Sequence, residues 1–127
     1  MNWKYGENLD QKDIAQIEDA FGVSLPQECV NLFSANNKAK PYKSNFVTEN
    51  SSERVIDYLV DLKESKNISN RIKKPNFVPL ASDPFGNYVA LKFDSQRNIK
   101  SIIFWDHETD SEAYICDTIE EFILKLY

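Results

Sequence analysis

The residues best equipped for chemistry crowd into one stretch, Asp106-His107-Glu108-Thr109-Asp110-Ser111-Glu112, which holds the sole histidine of the 127-residue chain. An imidazole between two carboxylates is the raw material of an acid–base dyad or a metal site. The spacing works against both. If the stretch continues the apolar segment before it as a strand, alternate residues point to opposite faces and His107 diverges from Asp106 and Glu108. A single histidine cannot build a multi-histidine zinc set, and "DHETDSE" lacks the glycine and spacing of an EF-hand loop. It reads as an acidic hairpin loop. A small hydrolase using Asp106, His107 and Glu108 stands as the enzymatic alternative.

The remaining chemical signals are absent or bland. Cys29 and Cys116 lie far apart with no C-x-x-C spacing, which fits neither a disulfide scaffold nor a zinc site and suits a reducing cytoplasm. Each sits in an apolar pattern, so each reads as a small core residue. Gly6, Gly22 and Gly86 form no phosphate loop, and there is no G-x-S-x-G elbow. We expect no catalytic residue, no metal and no cofactor.

Recognition has better material. In "SDPFGN" (82–87), Asp83, Pro84 and Gly86 match positions i, i+1 and i+3 of a type I turn, which leaves Phe85 on a turn where a large apolar group has little reason to be buried. Trp105, next to the acidic loop, suits either a binding anchor or the core. The net charge of −5 is uneven: residues 38–74 carry +4, residues 1–37 carry −4 and residues 101–127 carry −6. Such a chain is a poor nucleic-acid ligand, because phosphate attraction needs clustered Lys and Arg. Its acidic end suits a basic protein. The expected contact residues are therefore Asp83, Phe85, Trp105, Asp106, Glu108, Asp110 and Glu112. The opening "MNWKYGENLD" has no apolar run for a secretory signal, and no segment reaches the ~18 apolar residues of a membrane span.

The elements that must position these residues follow from periodicity. Asp10 caps a first helix with Ile14, Ile17 and Phe21 on one face, Leu9 placed for a hydrophobic staple, and Gly22 at its end. "SLPQECVNLFSAN" starts a second, with Pro26 at its first turn and Cys29, Leu32 and Phe33 inward. "SNFVTE" suits a short strand. "SSERVIDYLVDLKES" (51–65) predicts a third helix, with Val55, Ile56, Leu59 and Leu62 inward, and "KNISNRIKKP" a basic, solvated loop. "NFVPLAS" predicts an edge strand, because Pro79 cannot donate to a central ladder. "YVALKF", "IKSIIFW" and "AYIC" form an antiparallel meander joined by "DSQRN" and "DHETDSE". The strand Ile99–Trp105 is apolar on both faces, which asks for cover on both. "DTIEEFILKLY" closes the chain as a helix capped by Asp117 or Thr118, with Ile119, Phe122, Ile123 and Leu126 inward. The whole reads as one α+β domain, 1–127, its N- and C-terminal helices packed on an antiparallel sheet.

In this order, "DIAQIEDAFGVSLPQECVNLF", "FVPLASDPFGNYVAL", "IIFWDHE" and "TIEEFILKL" resemble the SUKH superfamily, the Smi/Knr-like domain of bacterial immunity proteins and fungal cell-wall regulators. Residues 37–75 carry no matching motif. The resemblance implies an α+β fold and a binding role: neutralising a cognate secreted toxin, such as a nuclease, by occupying its active surface. A regulatory adaptor with no toxin partner is the alternative it leaves open. It brings no catalytic residues with it. A monomer or weak homodimer is expected.

Overall fold

The computed structural model describes residues 3–127; Met1 and Asn2, the first residues of the segment read as lacking a leader, lie outside them. In chain order the elements are β1 (Trp3–Lys4), α1 (Gln11–Phe21), α2 (Gln27–Asn36), β2 (Lys40–Pro41), β3 (Asn45–Val47), β4 (Glu53–Val55) and β5 (Tyr58–Leu59). A 3-10 turn (Leu62–Glu64) leads into α3 (Ser65–Ile72), then β6 (Phe77–Ser82), β7 (Tyr88–Phe93), β8 (Ile99–Asp106), β9 (Ser111–Cys116) and α4 (Ile119–Lys125). The fold is α+β. β5 to β9 form one antiparallel sheet in sequence order, while β1 pairs β2 and β3 pairs β4 as separate two-stranded sheets.

The first helix forms where capping chemistry puts it. The Asp10 carboxylate accepts the Asp13 N–H at 2.8 Å, and Gly22 takes φ 70° and donates its N–H to Glu18. Leu9 and Ile14 are both buried, as a staple requires. Pro26 sits one place earlier than predicted, at the N-cap of α2 rather than its first turn. The Glu18 carboxylate accepts the Leu25 N–H at 2.7 Å and so fixes the approach of one helix to the next.

Two segments depart from the prediction. Residues 51–64 are not an α-helix: they run through β4, β5 and the 3-10 turn, and only Ser65 belongs to α3. Of the expected stripe, Ile56, Leu59 and Leu62 are buried, but from extended chain and the 3-10 turn, while Val55 is half-buried and Val60, outside the stripe, is buried. The Asp57 and Val60 N–H groups bond Ser82 and Leu80 carbonyls, so pairing with β6 overrides a pattern that either period satisfies. The helix comes next, in the segment read as a basic loop. α3 turns Ser65, Ile68 and Ser69 inward, a face with little apolar periodicity to detect. The Ser65 hydroxyl donates to the Pro79 carbonyl and the Ser69 hydroxyl to the Lys74 carbonyl, each at 2.7 Å. Nor is β6 an edge: β5 lies outside it, and the register slips between Pro79 and Ala81, placing the proline at a bulge where its missing N–H is tolerated.

β8 is buried on both faces, and its faces differ. Ile102 and Phe104 join the main core with residues of α1, α2 and α4; Phe46 from β3 packs between Phe104 and Phe122, with ring centroids at 5.9 and 5.4 Å. Ile103 and Trp105 join Phe77 and Ala90 in a smaller cluster against Ile72 and Tyr88. Among the described residues, Ile72 is the one helical side chain packed in that second cluster. Its cover is the end of α3 together with polar side chains: Lys92 pairs with Glu112, Lys74 with Asp110, and Arg71 donates to the Tyr88 hydroxyl. Along the outer side of β9, Glu49 grips Tyr114 twice, donating its N–H to the Tyr114 carbonyl and accepting the Tyr114 N–H on its carboxylate.

Candidate functional site

The β6–β7 and β8–β9 loops meet at one end of the sheet, and a polar clasp joins them. The Asp83 N–H donates to the Asn87 carbonyl, so the predicted turn sits inside a five-residue loop. The Asp83 carboxylate, nearly buried, accepts the backbone N–H groups of Phe85 and Asn87 on one oxygen and the Asn87 amide on the other, all at 2.8 Å. Asn87 then turns its own Oδ1 to the neighbouring loop, accepting the His107 N–H at 2.9 Å and contacting Nδ1 of the ring at 2.6 Å. Because an amide oxygen can only accept, the ring nitrogen is the donor here. Gly86 has φ 92°, and a Cβ there would stand 3.5 Å from the imidazole, so the ring lies over the glycine.

The clasp sets Phe85 outward. It is 69% exposed on a loop held by four hydrogen bonds to Asp83. Beneath it opens a cleft of about 180 Å³ lined by Asn45, Glu53, Arg54, Val55, Asp83 and Phe85. The Arg54 guanidinium stands 4.7 Å from the centre of the Phe104 ring and 3.5 Å from an Asp106 carboxylate oxygen.

Three of the four predicted acidic contacts within residues 106–112 have cations beside them: Asp106 has Arg54, Asp110 has Lys74 and Glu112 has Lys92. Asp110 also accepts the Trp105 indole N–H at 2.8 Å; that bond, then Lys74, holds its carboxyl below the usual range. Among the described residues, Glu108 alone of the four has no ion-pair partner; its backbone N–H donates to Asp106. Of the seven residues singled out, the structure gathers Phe85, Asp106 and Glu108 at the exposed loop end. Asp83 faces inward beside them as the support of the loop. Trp105 packs in the second-face cluster, with Asp110 and Glu112 bonded across that face. Reasoning from sequence missed Arg54 and Asn87. A signal for Asn87 exists: Asp83…Asn87 and Asp94…Asn98 share one spacing, and Asp94 likewise accepts the N–H two and four residues on.

The other reactive candidates are closed off. His107 meets an amide rather than a carboxylate at Nδ1. Burial pushes the Cys29 thiol up to about 12, and burial pushes Cys116 to about 11. Among the described residues, no group of three or more His, Cys, Asp or Glu side chains is placed to hold a metal ion, and no helix is long and apolar enough to cross a membrane.

A family model described as SUKH_6, SMI1-KNR4 cell-wall, matches residues 11–123, which takes in every element from α1 to the body of α4. No curated protein matches the chain.

Proposed function

Since the chain belongs to the SMI1-KNR4 (SUKH) family, we propose that it is an immunity protein that occupies the active surface of a cognate, basic protein toxin. Phe85 is the observation that carries this reading. A phenylalanine 69% exposed on a hydrogen-bonded loop has the form of an aromatic binding anchor, and here a buried carboxylate holds it out. Its loop is rigid before binding, so little ordering entropy opposes the complex. Asp106 and Glu108 beside it, and the net charge of −5, favour encounter with a basic partner. The pairing of Asp106 with Arg54 supplies a further device. A partner cation can replace Arg54 on Asp106, which frees the guanidinium for a partner carboxylate.

Co-expression with the products of adjacent genes, scored for rescue from toxicity and for a complex on a sizing column, tests the reading. Phe85→Ala should weaken the complex at least about thirtyfold, roughly 2 kcal/mol, with the melting temperature unchanged. Rescue without a complex, or Phe85→Ala binding as tightly as wild type, overturns it. A complex that forms with a non-toxic partner assigns the chain to the regulatory-adaptor class instead.

A further inference from the structure

Away from the Phe85 cleft, a second surface lacks an occupant. α2 and α4 flank a groove of about 370 Å³ lined by Glu28, Asn31, Leu32, Glu120, Ile123 and Leu124, none of which borders the cleft under Phe85. Its floor is apolar. Leu32 is buried, Ile123 half-buried, and Leu124 is 79% exposed. A leucine held in water at one lip of an apolar groove is a free-energy cost that contact with a second apolar surface removes.

The charge of the rim says what kind of surface that is. Along the β8–β9 hairpin, the acids Asp106, Asp110 and Glu112 are paired with Arg54, Lys74 and Lys92. Around the groove the acids are not paired: among the described residues, Glu28, Glu120 and Glu121 have no ion-pair partner within 4.0 Å. Lys125, in the last turn of α4, is the only basic residue on either helix. Glu28 adds to burial in raising the Cys29 thiol, and Glu121, opposed by Lys125, does the same at Cys116. We propose that the α2–α4 groove docks a basic amphipathic segment of a partner protein, which seats a leucine-like anchor beside Leu124 and sets its Lys or Arg residues against Glu28 and Glu120. A second copy of this chain fits poorly, because two-fold pairing would bring the same acidic rim onto itself.

The probe is a synthetic amphipathic peptide of leucine and lysine, with a leucine–glutamate peptide as its counterpart, titrated by fluorescence anisotropy against the whole chain. The basic peptide should bind saturably and the acidic one should not. Leu124→Glu, at a position exposed enough to leave folding intact, and the pair Glu28→Lys/Glu120→Lys should each weaken binding at least about tenfold. Asp19→Lys/Glu64→Lys makes the same change of net charge elsewhere and should stay within about twofold. Equal loss in both charge-reversed pairs would mean attraction to net charge alone and would overturn the proposal. So would indifference to Leu124→Glu, or a concentration-dependent dimer that Leu124→Glu abolishes. Phe85→Ala leaves this binding unchanged, so the groove and the Phe85 cleft stand or fall separately.

Discussion

Asn87→Ala cuts the clasp between the two loops, and its cost can be worked from the contacts. Asn87 is 4% exposed and makes three side-chain contacts: one donated to Asp83 at 2.8 Å, and the two at Oδ1 from His107. The bond to a charged acceptor is worth about 1.5–3 kcal/mol and the neutral one from the His107 backbone about 0.5–1.5. The ring of His107 is exposed and takes water instead, so its contact adds little. Asp83 keeps its backbone donors from Phe85 and Asn87, which places the first figure near its lower end. The expected loss is about 2–3 kcal/mol. For a chain of this length, that lowers the melting temperature by roughly 8–12 °C. Urea unfolding should show the same change as a shifted midpoint at constant slope. His107→Ala serves as the companion and should stay within about 0.5 kcal/mol of wild type. Asn87→Asp adds a test of sign. It sets a second carboxylate against Asp83, where the two share a proton and one folded-state pKa is raised. That variant should therefore be least stable at neutral pH and recover as pH falls toward 5. An Asn87→Ala protein as stable as wild type, or a His107→Ala loss equal to it, would refute the reasoning.

Three further outcomes follow from the core and the titrating groups. Phe46→Ala empties the space between Phe104 and Phe122 and should cost about 3–5 kcal/mol by urea denaturation. At pH 8 the Cys29 thiol, raised to about 12, is ionised in roughly one molecule in ten thousand, so a thiol reagent should label neither cysteine until urea unfolds the chain. Asp10, Asp94 and Asp110 have folded pKa values below the ordinary 3.8, mainly through the Asp13 N–H, the Asn98 N–H and the Trp105 indole respectively. The unfolded chain thus binds more protons, and the stability these groups lend, present above about pH 4, is lost as pH falls through the folded values. Trp105→Phe should move Asp110 back toward its ordinary value in a carboxyl NMR titration and leave Asp94 in place.

How much of this was legible in the residues depends on which force set each element. α1, α4 and the meander β7–β9 obey local rules of caps and alternating faces, so their boundaries and the two faces of β8 follow from sequence. Residues 51–72 do not. Val55, Ile56, Leu59 and Leu62 satisfy a helical stripe, and only a partner strand far along the chain decides for extended backbone. α3 escapes because two serines, satisfied by carbonyls, stand where apolar residues are expected. At the site, the exposure of Phe85 follows from its turn. The cations beside Asp106, Asp110 and Glu112 come from β4, the turn after α3, and β7, and no spacing along the chain announces them.

The grip of Glu49 on Tyr114 has a consequence for how any complex is built. An open sheet ends in rows of free amides and carbonyls, onto which another polypeptide can zip. Here one margin has its central peptide group occupied by Glu49, and at the other margin Leu59 already donates to Ala39. Both margins of this sheet are thus interrupted, which shortens any ladder of main-chain bonds open to its own copies or to a visitor. Discrimination among visitors falls to side chains, which point mutation can retune without disturbing the scaffold.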